Sequence, residues 1–193
     1  MSRAGKSTHE VEVKIRISDP ASIRKLLRRN GYLVIKRRVF EANTVFDTPD
    51  GALRTSRQLL RVRRAGSERL LTYKGKPIAG KHKTREEIEV NLSDTEVFAS
   101  ILERLGFKPS FRYEKFRTEF AIPNTSGLIL LDETPVGDFL ELEGTPAWID
   151  RTARKLGYSD QDYITSSYAS LYFTDCSARG VAPTHMVFPT TRR

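Results

Sequence analysis

The chain has 193 residues, 33 Lys or Arg against 24 Asp or Glu, a formal net charge of +9 and 38% hydrophobic residues. That length and apolar content suit one buried core and argue against a second full domain, and the positive excess favours an anionic partner without choosing between nucleic acid, an acidic membrane surface and a phosphate-rich ligand. The single Cys176 excludes an internal disulfide framework, no run is long enough to span a membrane, and the opening MSRAGKSTHE lacks the apolar core of a secretion signal, so a cytoplasmic protein is expected.

The first regular stretch is HEVEVKIRI, residues 9 to 17, where charged Glu10, Glu12, Lys14 and Arg16 alternate with Val11, Val13, Ile15 and Ile17. Period two means a strand with one apolar and one charged face. Ser18-Asp19-Pro20 then opens an amphipathic helix over Ile23, Leu26 and Leu27 that stops at Gly31. Short alternating runs follow: TVFDT, QLLRVRR, ERLLTYK and TREEIEVNL. SDTEVFASILERLG predicts a second helix with a capping box at Ser93 and Glu96, facing Val97, Ile101, Leu102 and Leu105 inward. FRYEKFRTEFAI, GLILLDET and DFLELEG complete eight strands, and PAWIDRTARKLG and SDQDYITSSYASLYF supply two more helices. The two halves share one grammar, strand and helix and then strands, which points to a weak internal duplication. A single domain over residues 1–173 is expected, with 174–193 as a flexible tail or an ordered strap.

The charged faces are the informative feature. Arg61 and Arg63 are in phase on one run; so are Thr72 and Lys74, Arg85 with Glu87 and Glu89, Lys115 with Arg117, and Glu141 with Glu143, while Asp132 ends LILLD. One such strand is ordinarily a wet face. Eight of them, carrying Arg and Glu two apart with few neutral polar residues between, suggest a face that is used. Residues two apart on a strand are roughly 7 Å apart, close enough for two carboxylates to share a cation or two guanidiniums to grip adjacent phosphates. Closing the strands into an antiparallel barrel would gather these faces in the lumen and leave the apolar faces outside for helices to cover, an α+β architecture. Charges buried there must be nearly balanced. Lys14, Arg61, Arg63, Lys74, Arg85, Lys115 and Arg117 stand against Glu10, Glu12, Glu87, Glu89, Asp132, Glu141 and Glu143, seven of each.

These residues resemble the CYTH proteins, or triphosphate tunnel metalloenzymes. The resemblance rests on E-x-E-x-K at Glu10, Glu12 and Lys14, followed in order by FDTPDGAL, L-R-x-R at Leu60 to Arg63, Lys74, Arg85 with Glu87 and Glu89, K-x-R at Lys115 and Arg117, Asp132, and E-x-E at Glu141 and Glu143. It runs from residue 9 to about 173. It implies an eight-stranded tunnel in which Glu10, Glu12, Asp132, Glu141 and Glu143 hold Mg²⁺ or Mn²⁺. Lys14, Arg61, Arg63, Lys74, Arg85, Lys115 and Arg117 would bind a triphosphate-containing small molecule, with Glu87 and Glu89 in support. Catalysis would fall to Glu10, Glu12, Lys14, Arg61, Arg63 and Lys115. Oxygen donors suit those cations, and the scattered histidines offer no zinc set.

Within that family the resemblance allows hydrolysis of a triphosphate or cyclisation of ATP to cyclic AMP. VFDTPDGALRTSRQLLRVRR is more similar to the hydrolase branch, with Val45 where that branch often has Tyr. No feature marks an adenine pocket. A third class, a non-catalytic polyphosphate or RNA binder, is suggested by RKLLRRNGYLVIKRR, because residues 20 to 40 hold seven basic side chains and no acid. Such runs are commonly solvated surface, and both E-x-E pairs favour catalysis. No DNA or membrane partner is expected, and the oligomeric state is open.

Overall fold

The computed structural model describes residues 8–189; the rest of the opening segment and the last four residues of the expected tail lie outside the described residues. Eight strands, β1 (Thr8–Ile17), β2 (Leu33–Asp47), β3 (Leu59–Ala65), β4 (Glu68–Lys74), β5 (Lys83–Asn91), β6 (Lys108–Ala121), β7 (Leu128–Thr134) and β8 (Gly137–Glu143), close an antiparallel barrel in the order β1-β5-β4-β3-β2-β6-β7-β8. Helices α1 (Pro20–Arg29), α2 (Ala52–Thr55), α3 (Thr95–Arg104), α4 (Pro146–Lys155) and α5 (Tyr168–Ala178) surround it.

The alternation dictates this inside-out distribution. Val13, Ile15, Ile129, Leu131, Leu140 and Leu142 point outward from β1, β7 and β8 and are buried under Ile23 and Leu27 of α1 and Trp148, Ile149 and Ala153 of α4. α3 lays Leu102, Phe98 and Ala99 against Phe46, Val62 and Leu71 on the opposite wall. At one end Tyr168, Tyr172 and Cys176 of α5 pack on Phe111, Tyr113 and Phe139.

The expected duplication is visible in the topology. Each half runs strand, helix and then three strands, with only the one-turn α2 inserted in the first. Exchanging β1 to β4 with β5 to β8 leaves every pair of barrel neighbours unchanged. Neighbours β1 and β5 start the two halves, and β2 and β6 follow their helices.

Four local expectations are corrected. β2 begins at Leu33 instead of near Thr44, because its first half is paired with β6 through register shifts between Val34 and Lys36 and between Lys36 and Val39, which erase strict alternation. The cap of α3 is Asp94, whose carboxylate accepts from the Glu96 and Val97 amides; extended backbone places it one residue after Ser93. On α3 the inward face is Phe98, Ala99 and Leu102, while Val97, Ile101 and Leu105 are exposed. The last helix runs from Tyr168 to Ala178, crossing the boundary expected at 173.

Beyond α5 the chain is the strap alternative. Met186 is fully buried and pairs in parallel with Tyr113 of β6: its amide donates to the Arg112 carbonyl and its carbonyl accepts from Glu114. The edge of β6 it covers lies beyond the reach of β7, whose pairing spans only Phe116 to Phe120. Ile164, in the link between α4 and α5, does the same for β1, exchanging both backbone bonds with Lys14.

Candidate active site

Inside the barrel lies a cavity of about 900 Å³. Its lining includes Glu10, Glu12, Lys14, Arg61, Arg63, Lys74, Arg85, Glu87, Glu89, Lys115, Arg117, Glu141 and Glu143, so that of the expected set only Asp132 is set back behind the wall. Glu12 stands opposite Glu143 of β8 and Lys83 of β5, Glu10 opposite Arg85, and Lys14 opposite Glu141. Strand register therefore converts spacing of two along each strand into contacts across strands.

The carboxylates sort into two groups. Oxygens of Glu10, Glu12 and Glu143 all lie within 4.8 Å of one another. Glu10 pairs with Lys74, and Glu12 with Lys14 and Lys83. Glu143 makes no ion pair among the described residues. Burial, then the nearby Glu141 and Glu10 charges, hold its carboxyl well above the usual range. Burial also raises Glu10, reinforced by Glu12 and Glu87 against the pull of Lys74. Such a group of oxygen donors keeps a proton unless a cation takes its place, so the trio fits a hard divalent metal.

Asp132 and Glu141, expected among the metal ligands, are taken up by cations. The fully buried Asp132 accepts from Lys115 at 2.8 Å, twice from Arg117 and, at 2.7 Å, from the Tyr168 hydroxyl. Glu141 contacts Lys14 at 2.9 Å and Arg117 at 2.7 Å; despite its burial, these cations hold its carboxyl well below the usual range. The register explains the separation, since Asp132 faces Phe139 on β8 while Glu143 faces Leu128.

The basic side chains surround the remaining space. Arg61 donates to the Tyr113 hydroxyl and to Thr72, and Arg63 to Asn43, all at 2.9 Å. The Nε atoms of Arg61 and Arg85 are buried without an acceptor. A buried donor left unsatisfied is costly, and oxygens of an anion would satisfy both. Burial pushes the Tyr113 phenol up, but Arg61, Arg63 and Lys115 outweigh it and bring the group down to about 8.

Several of these residues were missed in the sequence. Glu41, 1% exposed and 3.5 Å from Arg63, lies in the regular part of β2, opposite Lys115 and just ahead of the run TVFDT. Lys83 precedes the expected start of its strand; burial, with Lys14 beside it, lowers its pKa. They add one acid and one base, so the expected balance survives. Tyr113 and Tyr168 carry no charge and gave no signal, yet the ammonium groups of Lys14 and Lys115 lie 5.1 and 5.2 Å from the Tyr168 ring centre.

Among the scattered histidines, His82 is half-buried. Its Nε2 lies 2.8 Å from Asp150 of α4, which also accepts from Lys81 at 3.1 Å and from Tyr163 at 3.0 Å. Asp150 thus fastens both the β4–β5 loop and the α4–α5 link.

The conserved-domain profile for the CYTH domain matches residues 8–168, which span all eight strands and the first residue of α5. The chain belongs to the CYTH family. MJ0240 of Methanocaldococcus jannaschii, provisionally named an adenylate cyclase, is 32% identical over 171 residues, covering 84% of this chain and 97% of that protein. The PH1819 protein of Pyrococcus horikoshii OT3 superposes with a TM-score of 0.74 at 27% identity, covering 86% of this chain and 99% of its own. HpAC1 of Hippeastrum, provisionally called an adenylyl cyclase but described as having a dominant triphosphatase activity, shares the fold with a TM-score of 0.61 at 18% identity, over 90% of this chain and 97% of its own. The closed barrel is therefore the CYTH fold. Among the described residues, no helix is long and apolar enough to cross a membrane.

Proposed function

We propose that this CYTH protein is a cytoplasmic, divalent-cation-dependent triphosphatase, hydrolysing inorganic tripolyphosphate or an organic triphosphate within the barrel. The observation that carries the reading is the convergence of Glu10, Glu12 and Glu143 in the same cavity as Lys14, Arg61, Arg63, Lys74, Arg85, Lys115 and Arg117. Glu10, Glu12 and Glu143 would hold Mg²⁺ or Mn²⁺, which supplies charge neutralisation and activation of water at a phosphoryl group.

The chain's own contribution is positioning and electrostatics. Arg61 and Arg85 direct unsatisfied donors toward phosphate oxygens, and Lys14, Arg63 and Lys115 add positive charge where the leaving oxygen becomes negative. Asp132 and Glu41 orient these bases from behind. Burial strengthens each of these interactions by excluding water. An intact acidic trio supports catalysis over simple polyphosphate binding.

Cyclisation of ATP is the second reading, favoured by the provisional name of the 32%-identical M. jannaschii protein. The products decide. The protein is incubated with ATP or tripolyphosphate and either cation, and phosphate, pyrophosphate and cyclic AMP are separated. Phosphate released from tripolyphosphate is expected. Cyclic AMP with equimolar pyrophosphate from ATP, and no phosphate from tripolyphosphate, overturns the hydrolase reading.

A further inference from the structure

The two halves of the barrel are not finished alike. Counted from the capping residues Asp19 and Asp94, Val13 and Ile15 of β1 correspond to Ile88 and Val90 of β5, and Ile23 and Leu27 of α1 to Phe98 and Leu102 of α3. The helices keep the correspondence, since all four of those helical residues point inward. The strands break it. Val13 and Ile15 are 0% and 1% exposed beneath α4, whereas Ile88 and Val90 are 39% and 44% exposed. The cause is in the chain order: α4 follows β8, but after β4, the equivalent strand, there is only the loop 75–82. A helix-sized place on β4 and β5 is left open beside α3.

α3 borders that place with an apolar stripe. On α1, Arg24 reaches Thr118 of β6 and Glu133 of β7, which puts Leu26 on the opposite flank, toward α4 and packed against the core. The counterpart of Leu26 is Ile101, which is 47% exposed, and Val97 and Leu105, also exposed, continue its row by one turn in each direction. Residues four apart form a ridge on a helix, and a ridge of branched aliphatic side chains left in water is a packing surface that lacks its partner.

We propose that this face binds a second copy of the chain, α3 against α3 about a two-fold axis at Ile101, so that the helix of each copy takes the place on the other that α4 takes in the second half of the barrel. The stripe is its own complement. With the helices antiparallel, Ile101 meets Ile101 of the second copy and Val97 meets Leu105 of the second copy, as an isologous contact requires. The same arrangement sets Arg104 of each copy against the first turn of the other helix, which begins at Asp94 and carries Glu96. Charge and apolar register thus select the same occupant. None of Val97, Ile101, Arg104 and Leu105 lines the tunnel, so the pairing is independent of the hydrolase reading.

Sedimentation equilibrium and cysteine cross-linking test it. Wild-type protein is expected to dimerise reversibly, and Ile101→Glu to raise the dimer dissociation constant by about a hundredfold or more, because each substitution enters a two-fold interface twice. The exposed position lets the variant fold, which circular dichroism checks. Under copper phenanthroline, Ile101→Cys should link to itself, since packed helices bring facing Cα atoms within disulfide reach. Val97→Cys should not, because the two copies of that residue lie about 12 Å apart along the helices, yet mixed with Leu105→Cys it should form the cross-linked pair. The buried Cys176 stays out of the reaction. Wild-type protein that remains monomeric at every concentration, a dimer that survives Ile101→Glu, or Val97→Cys that links to itself would each overturn the proposal.

Discussion

Arg117 and Asp132 are joined by two parallel hydrogen bonds, Nε to Oδ1 at 2.7 Å and Nη2 to Oδ2 at 2.6 Å, inside the barrel wall. The pair makes Asp132 a structural counter-ion. Removing one partner of a buried pair leaves the other uncompensated, here with Lys115 as well. Asp132→Asn is therefore expected to destabilise the fold by about 3–5 kcal/mol, read from urea denaturation, while leaving metal affinity of the surviving folded fraction close to wild type. A large loss of metal affinity with unchanged stability would return Asp132 to the metal group.

Glu143→Gln and Glu10→Gln should show their main effect in turnover. Glu143→Gln resembles the protonated carboxyl of a group without a cation partner, so that metal-free variant should melt no lower than wild type, whereas Glu10→Gln also takes a partner from Lys74 and should melt lower. Turnover at saturating Mg²⁺ should fall by about a hundredfold or more. Unchanged turnover in either variant would take that residue out of the site.

The buried Nε atoms of Arg61 and Arg85 lead to an expectation about stability. Most tunnel bases are already paired with carboxylates, so repulsion among them is not what an anion relieves; it supplies missing acceptors. Tripolyphosphate with EDTA should raise the melting temperature, corresponding to about 2.7 kcal/mol at one hundred times its Kd. The rise should shrink in Arg61→Ala, Arg63→Ala and Arg85→Ala. No rise in wild type would argue against a triphosphate-sized basic site.

Tyr113 sets an alkaline limit. Its phenol titrates near about 8 because Arg61, Arg63 and Lys115 favour the anion over the push of burial. A bound triphosphate neutralises the same cations and favours the neutral phenol, so binding takes up a proton above that pH. KM for the triphosphate should accordingly rise as pH increases through 8, and Tyr113→Phe should flatten that rise. An identical profile in the variant would assign the pH dependence to another group.

Asp150 links the β4–β5 loop to the α4–α5 connection through Lys81, His82 and Tyr163. In Asp150→Asn, amide hydrogen exchange should quicken in residues 75–82 and 159–165, with the barrel strands unaffected. Exchange unchanged in both segments would mean that each is held independently.

Much of the fold was legible because eight strands alternate in the sequence as they do in space. The same regularity located Arg61, Arg63, Lys74, Lys115 and Arg117. It failed at the start of β2: the bulged segment LVIKRRV hid where the strand begins, and Glu41, in regular register after it, fell ahead of the run TVFDT in which the strand was expected. The separation of Asp132 and Glu141 from the acidic trio was also beyond reach. E-x-E shows that two side chains share a face, whereas convergence with a third depends on register between strands far apart in the chain. Tyr168 was invisible for a related reason. Nothing near it in the sequence reveals that α5 turns its ring toward Lys14 and Lys115.

Every charged residue assigned to the tunnel lies at or before Glu143, while the segments that patch the free edges of β1 and β6, at Ile164 and Met186, come after it. The last quarter of the chain thus donates no ionic group to the site, yet its backbone pairs with Lys14, Arg112 and Glu114 on the barrel strands. The raised carboxyl of Glu143 and the lowered ammonium of Lys83 are both consequences of dehydration. The C-terminal segment therefore meets the charged lumen through a neutral ring: Tyr168 donates to Asp132 and lies beside Lys14 and Lys115, adding contact without adding charge.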